Sequence, residues 1–161
     1  MKLRRAIAAT LALLAPLFCL AQLNTTRVME IGRNALYFED YVLSIRYFNQ
    51  VIDSKPFLHE PYFYRALAKY YLEDYAGAVQ DLDIAIRKNP YIPRSYQLRG
   101  LCHANSDSLV RAERDLRKAL EFNPIDKEEW LRTTQGYKDC AVEIARLEAK
   151  ILEKIKKDTS I

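Results

Sequence analysis

HEPYFYRALAKYYLEDYAGAVQDLDIAIRKNPYI, residues 59–92, holds two apolar-periodic runs joined by Glu73-Asp74-Tyr75 and closed by Asn89-Pro90. The first run starts behind Pro61, which fits the first turn of a helix because a missing N–H costs nothing there. Asp74 stands where its carboxylate can accept the free backbone N–H groups of a second helix. Pro90 ends that helix, since the residue before a proline is pushed out of helical geometry. The stretch therefore predicts a helix-turn-helix of 34 residues.

The same layout recurs on either side. Pro56, Pro90 and Pro124 are spaced by 34 residues, and cutting the chain at that period gives units 25–58, 59–92 and 93–126 without a gap. Counting each unit from its first residue, position four reads Val28, Tyr62, Tyr96 and position eight reads Gly32, Ala66, Gly100. Position twenty reads Ser44, Ala78, Ala112, position twenty-four Phe48, Leu82, Leu116, and position twenty-seven Val51, Ala85, Ala119. Small residues recur where two helices must approach closely, with large apolar ones between them. The turns Glu39-Asp40-Tyr41, Glu73-Asp74-Tyr75 and Asp107-Ser108-Leu109 repeat the cap, and Pro93 repeats Pro61. A period of this length predicts an all-α stack in which each unit buries its apolar face against its neighbours.

These positions together resemble the tetratricopeptide repeat over residues 25–126. The second unit carries the most motif positions, with Tyr62, Ala66, Tyr75, Ala78, Leu82, Ala85 and Pro90. The first departs at Ser44 and Val51, and the third has Arg99 where the motif favours Leu and His103 where it favours Tyr. The resemblance implies an α-solenoid of antiparallel helix-turn-helix repeats whose first helices line a concave, partner-binding groove. Carried over position by position, that groove takes Met29, Arg33, Leu36 and Tyr37 from the first unit. It takes Glu60, Phe63, Leu67, Tyr70 and Tyr71 from the second, and Arg94, Gln97, Leu101 and Asn105 from the third. Family members that clamp a peptide's terminal carboxylate use Lys and Asn at the fifth and ninth positions. This chain has Met29 with Arg33 and Phe63 with Leu67 there, which argues against that ligand. An aromatic and apolar groove edged by Arg33 and Arg94 favours an apolar or amphipathic segment with some acidic character. Tyr70 and Tyr71 point about 100° apart on one helix, so both cannot bury against the same neighbour. One of them is expected to face the groove.

From Lys127 to about Lys157 the pattern predicts one long amphipathic helix, with Trp130, Tyr137, Ala141, Ile144, Leu147, Ile151 and Ile155 near helical spacing and Gly136 as a point where it could kink. Trp130 holds the place of Tyr62 and Tyr96, but Arg146, Lys150 and Glu153 stand where a second helix would need small or apolar residues. A polar-faced helix of this kind closes an open stack. Its mixed charges read as a solvated face ahead of a coiled-coil partner site.

The first segment is of another kind. Met1-Lys2-Leu3-Arg4-Arg5 is basic, and Ala6 to Ala21 is almost entirely apolar with a helix-breaking Pro16. This is the layout of a secretory signal peptide over residues 1–21, cut between Ala21 and Gln22. The run falls short of the ~20 residues a helix needs to span a bilayer, so a stable transmembrane span is not expected. Acylation at Cys19 would be the lipoprotein alternative, and the bulky Phe18 before it argues against that processing. The expected compartment is periplasmic or extracellular.

Removing Lys2, Arg4 and Arg5 takes the formal charge from +4 to +1, which leaves no nucleic-acid footprint. With 50% apolar and 29% charged residues the chain is a folded one. Catalytic inventory is thin: His59 is expected exposed, His103 faces inward as a core or boundary histidine, and Cys102 occupies a small packing position. No nucleophile, base or metal set converges, so neither enzyme activity nor a metal or cofactor is expected. Cys102 and Cys140 could pair after export. The expected function is a non-catalytic scaffold that binds a protein or peptide in the groove. The alternative is the amino-terminal part of a larger envelope-associated protein or assembly.

Overall fold

The computed structural model describes residues 25–122 and 142–157, and every regular element among them is a helix. Helix α1 covers residues 25–37, α2 Tyr41–Ser54, α3 Glu60–Tyr71, α4 Tyr75–Lys88, α5 Pro93–Asn105, α6 Leu109–Leu120 and α7 residues 142–157. The expectations for the leader, Cys19, Pro124, Trp130, Gly136, Tyr137, Cys140 and Ala141 lie outside the described residues. The chain falls into two compact units, Met1–Pro56 and Phe57–Ile161.

Each turn within a repeat is built the same way. Glu39, Glu73 and Asp107 adopt left-handed backbone with φ of 63°, 62° and 55°. The next N–H then reaches back to close the preceding helix: Asp40 to Ala35 O, Asp74 to Lys69 O and Ser108 to His103 O, each at 2.9 Å. Asp40 caps α2 by accepting from the Leu43 N–H at 3.1 Å, and Asp74 caps α4 by accepting from Gly77 at 2.9 Å. Ser108, read from the sequence as the third cap, makes no side-chain cap bond. Its shorter arm leaves the turn to the backbone bonds alone. Pro61 and Pro93 sit in the first turns of α3 and α5 as expected.

In the first unit Phe48 and Val51 of α2 are buried, and Phe48 lies against Gly32 so closely that a β-carbon on that glycine would stand 2.8 Å from its ring. In the second unit α3 packs on α4, α4 on α5 and α5 on α6, while α3 also touches α5. Ala66, Ala78, Leu82, Leu98 and Cys102 form one buried cluster across these helices. A second cluster joins Leu109, Ala112 and Leu116 of α6 to Ile144 and Leu147 of α7. The fold is all-α, in antiparallel helix pairs. Position eight is again tight in the third repeat, where a β-carbon on Gly100 would meet Leu116 Cγ at 2.9 Å and Ala112 O at 3.1 Å.

Ala85 is fully buried, so the extra carbons of Ala85→Leu have no room. The substitution is expected to cost about 1 to 3 kcal/mol. A thermal melt that matches the wild type would refute this packing register.

Candidate functional site: the α3/α5 face

Along α3, Phe63, Leu67 and Tyr70 recur at helical spacing and rest half-buried on the cluster around Ala66, Leu82, Leu98 and Cys102. Helix α5 supplies the facing side chains. The Arg94 guanidinium stands 6.0 Å from the centroid of the Phe63 ring, a cation–π contact that joins the two helices at their N-terminal ends. At the other end the Tyr70 hydroxyl meets the Asn105 side chain, and burial is the main cause that raises this phenol above its ordinary value. Asn105 also donates from its side-chain amide to Leu101 O at 2.9 Å. Gln97 and Leu101 are half-buried between these two contacts, while Arg94 and Asn105 are exposed. Of the adjacent tyrosines, Tyr71 is the open one, 53% exposed against a half-buried Tyr70. The ring of Tyr70 is fixed by edge contacts to Tyr71 and Tyr75, both at 5.7 Å between centroids.

Seven of the residues read from the sequence, Phe63, Leu67, Tyr70, Arg94, Gln97, Leu101 and Asn105, thus line one continuous α3/α5 face, with Tyr71 at its margin. Met29, Arg33 and Tyr37 lie in the other compact unit, at four-residue spacing on α1. Met29 is half-buried, Arg33 exposed, and Tyr37 is 81% exposed with an edge contact to Phe38 at 5.3 Å.

Behind the face runs an ion network that the reading by motif missed. Arg65 grips Asp81 with two N–H groups, its Nε donating to Oδ2 at 2.9 Å, and Lys69 Nζ lies 2.8 Å from the same carboxylate. One repeat later Arg99 grips Asp115 with Nε and Nη2, both at 2.7 Å, and turns Nη1 to Asp83 of α4, also at 2.7 Å. Arg99, which departs from the motif's Leu, is therefore a clamp on three helices. Its guanidinium is raised above the ordinary arginine value by the Asp115 hydrogen bonds, against the opposing effect of burial. The carboxylates are nearly closed to solvent, with Asp81 2% and Asp115 6% exposed. The signal was present in the sequence as a repeated Arg-to-Asp spacing of 16 residues, Arg65 to Asp81 and Arg99 to Asp115.

His103 lies 3.9 Å from Asp115, with only 12% of its side chain exposed. Burial holds its imidazole below the ordinary value of 6.5, aided by Arg99 and Arg111 and opposed by Asp115 and Asp83. Cys102 is fully buried and burial pushes its thiol up to about 12, so the reactive thiolate is suppressed. His59 is half-buried rather than exposed, because it sits at the start of α3 with Nδ1 3.4 Å from the Glu60 carboxylate. Among the described residues no group of three or more His, Cys, Asp or Glu side chains could hold a metal ion. No described helix is long and apolar enough to cross a membrane.

Solved structures share this fold. The fold is that of a tetratricopeptide-repeat domain. The Arabidopsis OM64 TPR domain is 21% identical, with 78% of this chain and 95% of that one covered and a TM-score of 0.67. The second TPR domain of human RPAP3, in complex with the HSP70 peptide SGPTIEEVD, is 16% identical, with 80% and 98% covered and a TM-score of 0.66. The Yersinia enterocolitica type III secretion translocator chaperone SycD is 13% identical, with 78% and 83% covered and a TM-score of 0.72. At these identities the likeness to tetratricopeptide-repeat domains is one of fold. No protein-family model matches the sequence, and no curated protein matches it.

Two predictions follow from the ion network. Asp115→Leu takes the bidentate partner from Arg99, leaves it Asp83 alone and is expected to cost about 3 kcal/mol, whereas adding Arg99→Leu should recover part of the loss. Denaturant unfolding of Asp115→Leu, Arg99→Leu and the double variant checks this, and additive losses would refute the clamp. The unfolded chain takes up a proton on His103 near 6.5, while the folded chain takes it up only at lower pH. Stability from this group is therefore complete above 6.5 and is lost as pH falls toward the folded value. His103→Gln should flatten the melting-temperature profile between about pH 7.5 and 5 relative to wild type.

Proposed function

We propose that the chain is a non-catalytic protein-protein interaction module that receives a peptide segment or partner protein on the α3/α5 face. The observation that carries this reading is the alignment of Phe63, Leu67 and Tyr70 with Arg94, Gln97, Leu101 and Asn105 across two adjoining helices. Aromatic rings supply contact area at low entropic cost, and side-chain amides at Gln97 and Asn105 can meet a peptide backbone. Met29, Arg33 and Tyr37 on α1 belong to the other compact unit and carry a similar mix of apolar, cationic and aromatic side chains.

The occupant differs in chemistry from the HSP70 peptide held by the second RPAP3 domain. That peptide ends in acidic residues and a terminal carboxylate, and the fifth and ninth positions here are Met29 with Arg33, Phe63 with Leu67 and Gln97 with Leu101, so the Lys and Asn pair of the carboxylate clamp stands in none of the three units. An apolar or amphipathic segment with acidic residues set toward Arg94 matches the face better. We place the module after export, in the periplasm or outside the cell, on the pattern of residues 1–21. The buried, protonated Cys102 and the recessed His103 support a binding role over a catalytic one.

Replacing Phe63 and Tyr71 together with Ala should weaken capture of the partner in a cross-linked pull-down from the envelope fraction, with helicity by circular dichroism unchanged. Equal capture by the variant and the wild type would remove this face from consideration. Intact-mass measurement of the protein recovered from its producing cells should show a chain beginning at Gln22. A mass retaining Met1 to Ala21 would overturn the export reading.

A further inference from the structure

In the second compact unit the turns within repeats lie at one end and the links between repeats at the other. At the first end stand Tyr71, Leu72, Glu73 and Asp74, where α3 meets α4, and Asp107, between α5 and α6, with Lys154 of α7 3.1 Å from Asp107. At the second, where α3 and α5 begin and α4 finishes, Phe57 is 69% and Tyr91 77% exposed. Each follows the proline that ends a helix, so both occupy the same place in the repeat. The Tyr91 N–H donates to the Asn89 side chain at 3.1 Å, which fixes the tip that presents the ring. Around these rings lie the exposed cations Arg87, Lys88 and Arg94, with Lys88 Nζ 5.3 Å from the centroid of the Tyr62 ring. Glu60 at the same end lies beside His59, and Glu121 is paired with Lys118 at 2.5 Å.

Large exposed aromatic side chains at loop tips are costly in water and find a favourable place at the headgroup level of a bilayer, where an apolar body and a polar rim are both solvated. Cations beside them gain from an anionic leaflet, roughly fivefold in affinity for each. We infer that this end of the repeat unit docks on an anionic phospholipid surface, with Phe57 and Tyr91 entering the headgroup layer and Arg87, Lys88 and Arg94 over the phosphates. The docking uses the link loops and leaves the α3/α5 face free apart from Arg94, and it does not depend on the partner proposed above.

The chain from Gln22 onward, which contains every described helix, can be sedimented with vesicles of phosphatidylglycerol and phosphatidylcholine and with vesicles of phosphatidylcholine alone. Binding is expected to the first and not to the second, with loss at raised salt. Phe57→Ser with Tyr91→Ser, and separately Arg87→Glu, should each lower it about tenfold. All these side chains are exposed, so melting temperatures should stay at the wild-type value. Glu73→Lys at the opposite end should leave binding unchanged. No sedimentation with the anionic vesicles, equal binding to the neutral ones, or wild-type binding by the loop variants would overturn the proposal. A gain in Glu73→Lys as large as the loss in Arg87→Glu would overturn it too, since attraction would then follow net charge.

Discussion

Everything in this fold depends on how closely the two helices of a repeat can approach. At Gly32 and Gly100 there is no room for a β-carbon, because Phe48 and Leu116 already occupy the space. Ala66 takes the same position in the second repeat and is fully buried. The large side chain at position twenty-four, Phe48, Leu82 or Leu116, is driven into the floor of the facing helix and is completely removed from water. Burial of this kind contributes about 2 kcal/mol per large side chain, and it is available only at one register. A slip by one residue would place Arg33, Leu67 or Leu101 against the same wall. The period of the sequence is thus the period of a steric requirement, and the prolines and turns accommodate it.

Close approach also explains why charged groups can stand inside. Once position eight is small, positions seven and twenty-three face one another across the pair, and in the last two repeats these are Arg65 with Asp81 and Arg99 with Asp115. Bidentate pairing satisfies both groups where water is scarce. The first repeat carries Ile31, which is 37% exposed, and Tyr47 at these positions, so the ion pair is not repeated there. An ion pair adds little net stability over an apolar pair but imposes direction. Arg99 uses that direction to reach both Asp115 and Asp83, which ties the third repeat to the second.

The repeat, its small positions, the Asp40 and Asp74 caps and the Pro61 and Pro93 starts were legible because each is a local signal with one physical cause. Arg99 was legible only as a departure, since its meaning lies in a residue 16 places away on another helix. Left-handed backbone at Glu39, Glu73 and Asp107 was hidden because none is a glycine, and the turn is held instead by backbone bonds. The face residues were placed by analogy of position, and what no periodicity could show is their division of labour. Tyr70 is fixed between α3 and α5, Tyr71 is open, and Arg94 is drawn onto Phe63.

The behaviour of α7 follows from the same constraint. Residues 142–157 carry the register of a second helix, whose inward positions would be Arg146, Lys150 and Glu153. All three are exposed. Instead the helix turns Ile144 and Leu147, with Ile151 beside them, onto Leu109, Ala112, Leu116 and Ala104. That is the place beside α6 which α5 holds beside α4. Glu148 pairs with Arg117, and Lys154 lies 3.1 Å from Asp107, so α7 runs antiparallel to α6. A helix with large cations at the close-approach positions cannot form the tight pair that defines a repeat, but its other face can still cover an open one. The polar positions that bar a fourth pair are the ones that let α7 meet water, and so the α5/α6 layer is closed by a helix that could not have extended it.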